Sequence, residues 1–386
     1  MVHLIRFYIF VFSGKVDPLL NKDIKNIIVA ICFIGIIMGF SFANIIIKDA
    51  EFSLSERRKL KQLPSFTMEK LIDGDYFQEL EKYILDQFVL RDSFRSLNAY
   101  TRYYVLFQKD NNGIYVVNQN NINKLEFPLN EKSVLNAANK LNDIYRKYFN
   151  GMNVYYSIIP DKNYFVASQN GYLAMDYDKM VENISDDLID MKYIDIFNCL
   201  NIEDYYRTDI HWRQEKLLDV ANKLLDEMGS QETASEMDYT EMVLYPFYGS
   251  YFRQAAINVE PDSLIYLTNK IIESAEVYDY SSKNSGKVYS PDKFQGIDPY
   301  DVFLSGAVPL ITISNSACPS GKELLLFRDS FGSSIAPLLL SGYSRITLVD
   351  LRYIASNHLE EYIEFNEQDV LFLYNTQILN NSYMLK

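Results

Sequence analysis

Cysteine, tryptophan and histidine are scarce in this 386-residue chain, which has three Cys, one Trp and three His. Three cysteines (Cys32, Cys199, Cys318) cannot build a disulfide framework. Cys32 lies inside an apolar run. Cys199 and Cys318 are expected as two buried free thiols, with a single pairing between them the alternative. No Cys-x-x-Cys or His-x-x-x-His spacing occurs, so a structural zinc site is not expected. Positive charge is short as well: 37 Lys and Arg against 51 Asp and Glu give a net charge of −14. No basic stripe appears beyond the N-terminal quarter, which argues against nucleic acid as a partner. Repeats and low-complexity tracts are absent. With His3, His211 and His358 the whole supply, the search for a general base is short.

What is present is an ordinary globular balance, 48% hydrophobic and 23% charged, in a chain long enough to bury a sizeable core. The 31 Tyr are flat apolar surfaces with polar tips, suited to sugar contacts; an AT-rich coding bias accounts for them equally well. Residues Asn26 to Ile47 form an uncharged, mainly apolar run bracketed by Lys25 and Lys48, the length of a membrane-spanning helix. A signal peptide is the alternative: Ser41-Phe42-Ala43 has the small-x-small pattern, but Ile45-Ile46-Ile47 continues the run where a polar mature start is expected. The run is read as a transmembrane anchor. Lys15, Lys22 and Lys25 flank one side, and Lys48, Arg57, Arg58, Lys59 and Lys61 the other, so charge alone favours a cytoplasmic C-terminal side. Long C-terminal domains translocate regardless of such charge. Leu4 to Phe12 is a shorter apolar patch, read as interfacial or as sequence upstream of the true start.

The organisation expected is an N-terminal cytoplasmic or interfacial segment (1–25), the transmembrane helix (26–47), a stalk with a helical lead-in (48–130), and an α/β domain (131–386). In the lead-in, Leu71, Phe77, Leu80, Ile84 and Phe88 recur at helical spacing. Asp86 and Arg91 are read there as an ion pair or cap. Gly113 to Val117 is expected as a strand after a turn at Asn111-Asn112-Gly113. In the domain, helices are expected at Glu131–Tyr148, Gln214–Met228, Ser334–Leu340 and His358–Phe365. Apolar strands are expected at Val154–Ile159, Tyr193–Phe197, Leu324–Phe327, Ile346–Val349 and Val370–Tyr374. Such alternation predicts a parallel sheet covered on both faces. Residues from about 230 to 315, aromatic, turn-rich and poor in helical period, read as an insertion of small β elements or ordered loops near the site.

Two short segments carry the chemistry: Thr208-Asp209-Ile210-His211-Trp212 and Phe327-Arg328-Asp329-Ser330-Phe331-Gly332. In an extended backbone the Asp-x-His spacing sends both side chains to one side, where Asp209 can orient His211. Ser330 follows an apolar strand, at the carboxyl end where open α/β sheets place their chemistry, although a Ser there also serves as a simple helix cap. Acid, base and nucleophile are the minimum for acyl transfer at a serine. Gly332 lets backbone come close, so the amide of Ser330 or Phe331 is a candidate oxyanion donor. Trp212 and Arg352 are candidate substrate contacts, Arg352 alternatively pairing with Asp350. His358 reads as a surface residue.

The Asp-x-His-Trp segment resembles the signature of DHHW-motif proteins and of the alginate O-acetyltransferase-like branch of the SGNH-hydrolase superfamily, in which acid and base precede the nucleophile, as here. Similarity extends over Glu56-Arg57-Arg58-Lys59-Leu60 to Pro64, Asp73-Gly74, Asp86-Gln87-Phe88 to Arg91, Ile159-Pro160-Asp161-Lys162, Gly249-Ser250-Tyr251 and Tyr300 to Gly306. Ile210 departs from the DHHW pattern at a position that also varies among the related acetyltransferases. Asp329-Ser330 resembles the superfamily's first block, with Arg328 where Gly is usual. The resemblance implies a three-layer SGNH-like fold with permuted motif order, and catalysis by Ser330, His211 and Asp209. It further implies an oxyanion site that includes Asn375. The implied activity is O-acetylation of an extracytoplasmic polysaccharide, without metal or diffusible cofactor, by a single-pass membrane protein whose acyl group is delivered by a membrane-bound O-acyltransferase. A carbohydrate acetylesterase with the same triad, and a non-catalytic assembly or binding protein, are the alternatives.

Overall fold

The computed structural model describes residues 22–386 apart from 54, 55, 57, 118–120, 236, 317 and 319. The Leu4–Phe12 patch and His3 lie outside the described residues. The chain divides into two compact units, and residues 22–53 with 58–95 belong to the first. Helix α1 (Lys22–Ile46) contains Ile24–Ile46, 23 residues long and apolar enough to cross a membrane, which fits an anchor or a signal peptide. A two-residue pairing of β1 (Phe52–Ser53) with β2 (Arg58–Lys59) follows. Next come α2 (Met68–Asp73), capped by Thr67, and α3 (Asp75–Gln87), with α4 at Arg91–Tyr100. Asp86 is structural, as expected, but its partner is Arg58 rather than Arg91. The Arg58 guanidinium grips both carboxylate oxygens at 2.5 and 2.7 Å and holds the Asp86 carboxyl down to about 2. The helical spacing of Phe77 and Ile84 does not bury them: both stay more than half exposed, and Asp86 is the one buried residue of α3.

The second unit opens with a hairpin of β3 (Ile114–Val117) and β4 (Asn121–Lys124), entered through the turn at Asn111–Gly113 as the sequence predicts. Helix α5 (Glu131–Ile144) is capped by Asn130 and leads to β5 (Val154–Ile159), then α6 (Lys162–Val166), capped by Asp161, and α7 (Tyr177–Asp187). Only Lys192–Tyr193 forms β6; the expected strand to Phe197 stops there, because the chain turns into a 3₁₀ segment at Phe197–Cys199. Helix α8 (Leu218–Glu227) starts four residues later than predicted, behind a 3₁₀ turn at Gln214–Lys216. Then come β7 (Thr240–Phe247), α9 (Ser250–Ala255), β8 (Asp262–Thr268), α10 (Lys270–Ser274), β9 (Glu276–Asp279), β10 (Asn284–Gly286) and β11 (Leu310–Ser314). Last are β12 (Glu323–Arg328), α11 (Gly332–Ile335), β13 (Arg345–Val349), β14 (Asp369–Asn375) and α12 (Thr376–Leu379).

Among the described residues the main sheet has eight strands in the order β10-β9-β11-β13-β12-β14-β5-β6. Strands β13, β12, β14, β5 and β6 are mutually parallel, the core the apolar runs predict. Strands β9, β10 and β11 extend one edge antiparallel, so the 230–315 stretch contributes to this sheet as well as forming the β7–β8 hairpin. Alternation along β12 explains the layers. Leu324 and Leu326 pack with Val220, Leu224 and Ile335 on one face. Leu325 and Phe327 pack with Val134, Leu141, Met180 and Ile184 on the other. The result is a three-layer α/β domain. Cys199 and Cys318 are both free, and each is partly exposed rather than buried.

Candidate active site

The parallel register sets Leu326 beside Leu371 and Tyr374 beside Ile158, so the carboxyl ends of β12, β14 and β5 lie side by side. Ser330 sits two residues past β12, at the turn into α11, and is half-buried. Its Oγ lies 2.7 Å from Nε2 of His211, whose Nδ1 lies 2.6 Å from Oδ1 of Asp209. Asp209 is fully buried and His211 is 5% exposed. With the carboxylate on Nδ1, the ring proton belongs there, and Nε2 is left to accept from the serine hydroxyl.

The Asp-x-His pair meets for a different reason from the extended backbone expected. Residues 207–211 bend, and Asp209 Oδ1 accepts from the His211 backbone amide (3.0 Å) as well as from the ring, an Asx-type turn that closes acid onto base. The other oxygen accepts from the Ser250 amide at 2.6 Å. That approach requires Gly249: a Cβ there would fall on the Asp209 Cβ and the Thr208 carbonyl. Gly249→Ala is expected to displace the acid and lower kcat/KM by about 10², the cost of a misplacement near 1 Å; steady-state kinetics beside a thermal melt separate this from unfolding.

Two side chains remote in sequence hold the same loop. Lys162, 2% exposed, donates to the carbonyls of Ile122 (2.6 Å), Tyr206 (2.7 Å), Arg207 (3.1 Å) and Asp209 (3.2 Å). Burial pulls its ammonium down to about 7 against the opposing pull of Asp262 and Asp209. From the other side, Asp262 accepts from the Arg207 amide (3.2 Å), the Thr208 amide (2.8 Å) and the Thr208 hydroxyl (2.6 Å). The neighbouring Asp161 caps α6 and binds the Thr376 hydroxyl at 2.6 Å, joining the ends of β5 and β14; burial raises its carboxyl above the usual range.

The His211 ring is backed by aromatic side chains. His211 stacks on Tyr300, centroids 3.8 Å apart and 6° from parallel. The Tyr300 hydroxyl donates to Ser334 Oγ at 2.8 Å, and burial lifts its pKa well above the usual range. Trp212 is fully buried, and its indole N–H donates to Ser334 Oγ (2.8 Å) and the Phe331 carbonyl (3.2 Å). Trp212 therefore has no face left for substrate, which corrects its expected role: it ties the base segment to α11.

The expected oxyanion donors are placed as follows. The Phe331 amide already donates to Asp329 Oδ1 (2.9 Å), so it is engaged by the turn itself. Among the described residues the Ser330 amide meets no acceptor. Asn375 is 1% exposed; its amide nitrogen Nδ2 donates to the Ile159 carbonyl (3.1 Å), and Oδ1 caps the Gln377 amide (2.9 Å). One Nδ2 hydrogen remains, since a side-chain amide carries two. Asp329 is the clamp that links these parts, accepting the Phe331 amide on one oxygen and the Asn375 backbone amide (2.7 Å) on the other. Burial raises its carboxyl, opposed by Arg352 and these amides. Arg328, in place of the usual Gly, is fully buried beneath the turn, its stem under Gly332, where a Cβ would fall within 2.9 Å of Arg328 Cγ. Gly332 thus makes room for the Arg328 stem. Arg352 forms a two-bond pair with Asp350 (2.6 and 2.8 Å), the alternative stated for it. His358 lies on the surface, bonded to Glu361 at 2.6 Å.

Lys162, Asp262, Tyr300 and Ser334 were not singled out by sequence as site residues. The 230–315 stretch does reach the site, through Ser250 and Tyr300. No protein-family model matches this chain, and no curated protein does. Solved structures do. A DHHW family protein from Eubacterium siraeum shares the fold at TM-score 0.59 and 19% identity, over 71% of this chain and 94% of that one. Bacillus cereus PatB1 with a sulfonyl adduct matches at TM-score 0.54 and 19% identity, over 69% of this chain and 95% of that one. A looser overlap, at TM-score 0.40 and 12% identity, links 69% of this chain to 92% of the O-acetyltransferase domain of Pseudomonas putida AlgJ. The likeness to the Eubacterium siraeum protein and to PatB1 is one of fold.

Proposed function

We propose that this chain is a membrane-anchored, extracytoplasmic O-acyltransferase that moves an acetyl group onto a hydroxyl of a cell-surface or secreted polysaccharide. The observation that carries the reading is the unbroken line from Asp209 through His211 to the Ser330 hydroxyl, with bonds of 2.6 and 2.7 Å. Ser330 Oγ attacks the donor carbonyl while His211 Nε2 takes its proton. Buried Asp209 stabilises the imidazolium. The developing oxyanion sits against the Ser330 amide and the free Nδ2 hydrogen of Asn375. Collapse breaks the donor C–O bond, and the leaving alcohol takes the proton back from His211. A sugar hydroxyl then gives its proton to His211, attacks the acyl carbon and releases Ser330, which regains a proton. In this reading α1 is the anchor, and a membrane-bound O-acyltransferase supplies the donor.

The test is incubation of full-length protein with an activated acetyl ester and candidate glycans, followed by mass spectrometry of both. The expected result is acetyl on Ser330 at early times and ester on the glycan later. Donor hydrolysis with no glycan ester assigns an acetylesterase instead; neither product assigns a binding or assembly role. A reporter fused after Lys386 is expected outside the cytoplasm, and a cytoplasmic signal overturns the topology.

A further inference from the structure

The first unit carries apolar surface that its own fold leaves uncovered. The elbow between α3 and α4 reads Phe88-Val89-Leu90, and Leu90 is 60% exposed with a left-handed φ of 59°. An apolar residue is held there in a conformation that side chains rarely adopt, and it points outward. Leu85 and Phe94 beside it are 60% and 45% exposed.

The elbow is docked on α1 at a defined height. Phe40 stacks on Phe88 (5.7 Å, 11°) and packs against Phe94 (5.8 Å), and Asn44 Oδ1 accepts from the Val89 amide at 2.8 Å. Along α1 from Ile24, Phe40, Ala43 and Asn44 are the partly buried residues, a single face at spacings of three and four. A hydrocarbon layer takes about 20 helical residues. Any such stretch placed within Ile24–Ile46 contains Phe40. Phe40 then lies about 4 to 9 Å inside the boundary on the Ile46 side, at about 1.5 Å per residue. Whatever stacks on Phe40 shares that depth.

We infer that the elbow, Phe88 to Phe94, is a second membrane-seated element, its apolar side chains entering the acyl region of the leaflet next to α1. This rests on reading α1 as an anchor. The elbow's backbone suits the site: Arg91 N bonds Phe88 O (3.0 Å), Phe94 N bonds Leu90 O (3.1 Å), and Asn44 satisfies Val89, so these amides need no water. The charged residues of this stretch have partners within the unit: Arg91 Nε donates to the Leu85 carbonyl (3.0 Å), and Arg95 pairs with Asp92 (3.4 Å). The occupant is a lipid bilayer, and a partner protein on this face is the outcome that would replace it.

The test uses full-length protein in phosphatidylcholine–phosphatidylglycerol vesicles containing lipids brominated along the acyl chain. Tryptophan reporters are placed one at a time as Leu90→Trp, Phe94→Trp, Val29→Trp within α1, and Leu173→Trp on the second unit, with the Trp212 signal of the parent subtracted. Expected are quenching of Val29→Trp and of Leu90→Trp or Phe94→Trp by about half, as for side chains among acyl chains, and none for Leu173→Trp. Quenching at 29 with none at 90 and 94 overturns the inference and leaves the anchor standing. No quenching at 29 overturns the anchor, and the inference falls with it.

Discussion

On the proposed reading, Ser330→Ala is expected to abolish acyl transfer and any ester hydrolysis together, by about 10⁶ in kcat, the loss that follows removal of the nucleophile from a coupled triad. The fold survives the change. Ser330 is half-buried at a turn, its hydroxyl bonded to His211 Nε2, while the turn itself is held by Asp329 through the Phe331 and Asn375 amides. Loss of one hydroxyl at such a position costs at most about 1–2 kcal/mol. Two measurements check this: turnover of an acetyl ester beside a thermal melt, and labelling by a sulfonyl fluoride, which modifies the parent at Ser330 and leaves the variant untouched. Full turnover by a folded variant removes Ser330 from the mechanism and favours the assembly role.

The parts of this site that were legible in the sequence are those encoded locally. The runs Val154–Ile159, Leu324–Phe327, Ile346–Val349 and Val370–Tyr374 became strands because burial on both faces leaves an almost wholly apolar signature. Ser330 was legible because it follows such a run. The edge strands β9 and β11 were legible only as unplaced small β elements or ordered loops, since Glu276–Asp279 and Leu310–Ser314 carry mixed side chains and owe their place in the sheet to pairing with one another and with β13. Spacing brought Asp209 and His211 together for the wrong reason, because an Asx turn and an extended strand both put residues two apart on one side. The supports of the loop were illegible in principle: Lys162 reaches a carbonyl 47 residues away and Asp262 an amide 54 away, and carbonyls and amides have no residue identity to read. The same holds for the Ser250 amide on Asp209 and the Phe331 amide on Asp329. Trp212 misled in the opposite sense, as an aromatic beside a base suits a ligand equally well until burial shows both of its indole contacts to be internal.

On the same reading, His211→Ala is expected to lower turnover by a factor approaching that of the serine change, about 10⁶, because an unactivated alcohol is a weak nucleophile. Among the described residues the other histidine, His358, is on the surface and bonded to Glu361. The buried Asp209 does not become an orphan in this variant. It still accepts the backbone amide at position 211 and the Ser250 amide, both independent of the ring. The cost to folding is that of a cavity against Tyr300 and Phe331, about 2–4 kcal/mol on the scale of large-to-small core changes. A cavity of imidazole shape, opening toward the half-buried Ser330, makes a specific demand: free imidazole restores part of the activity to His211→Ala and none to Ser330→Ala. Rescue confined to the histidine variant assigns proton transfer to this ring. Undiminished turnover without imidazole overturns the assignment of His211 as base, and equal rescue of both variants assigns the effect to imidazole acting on the ester alone.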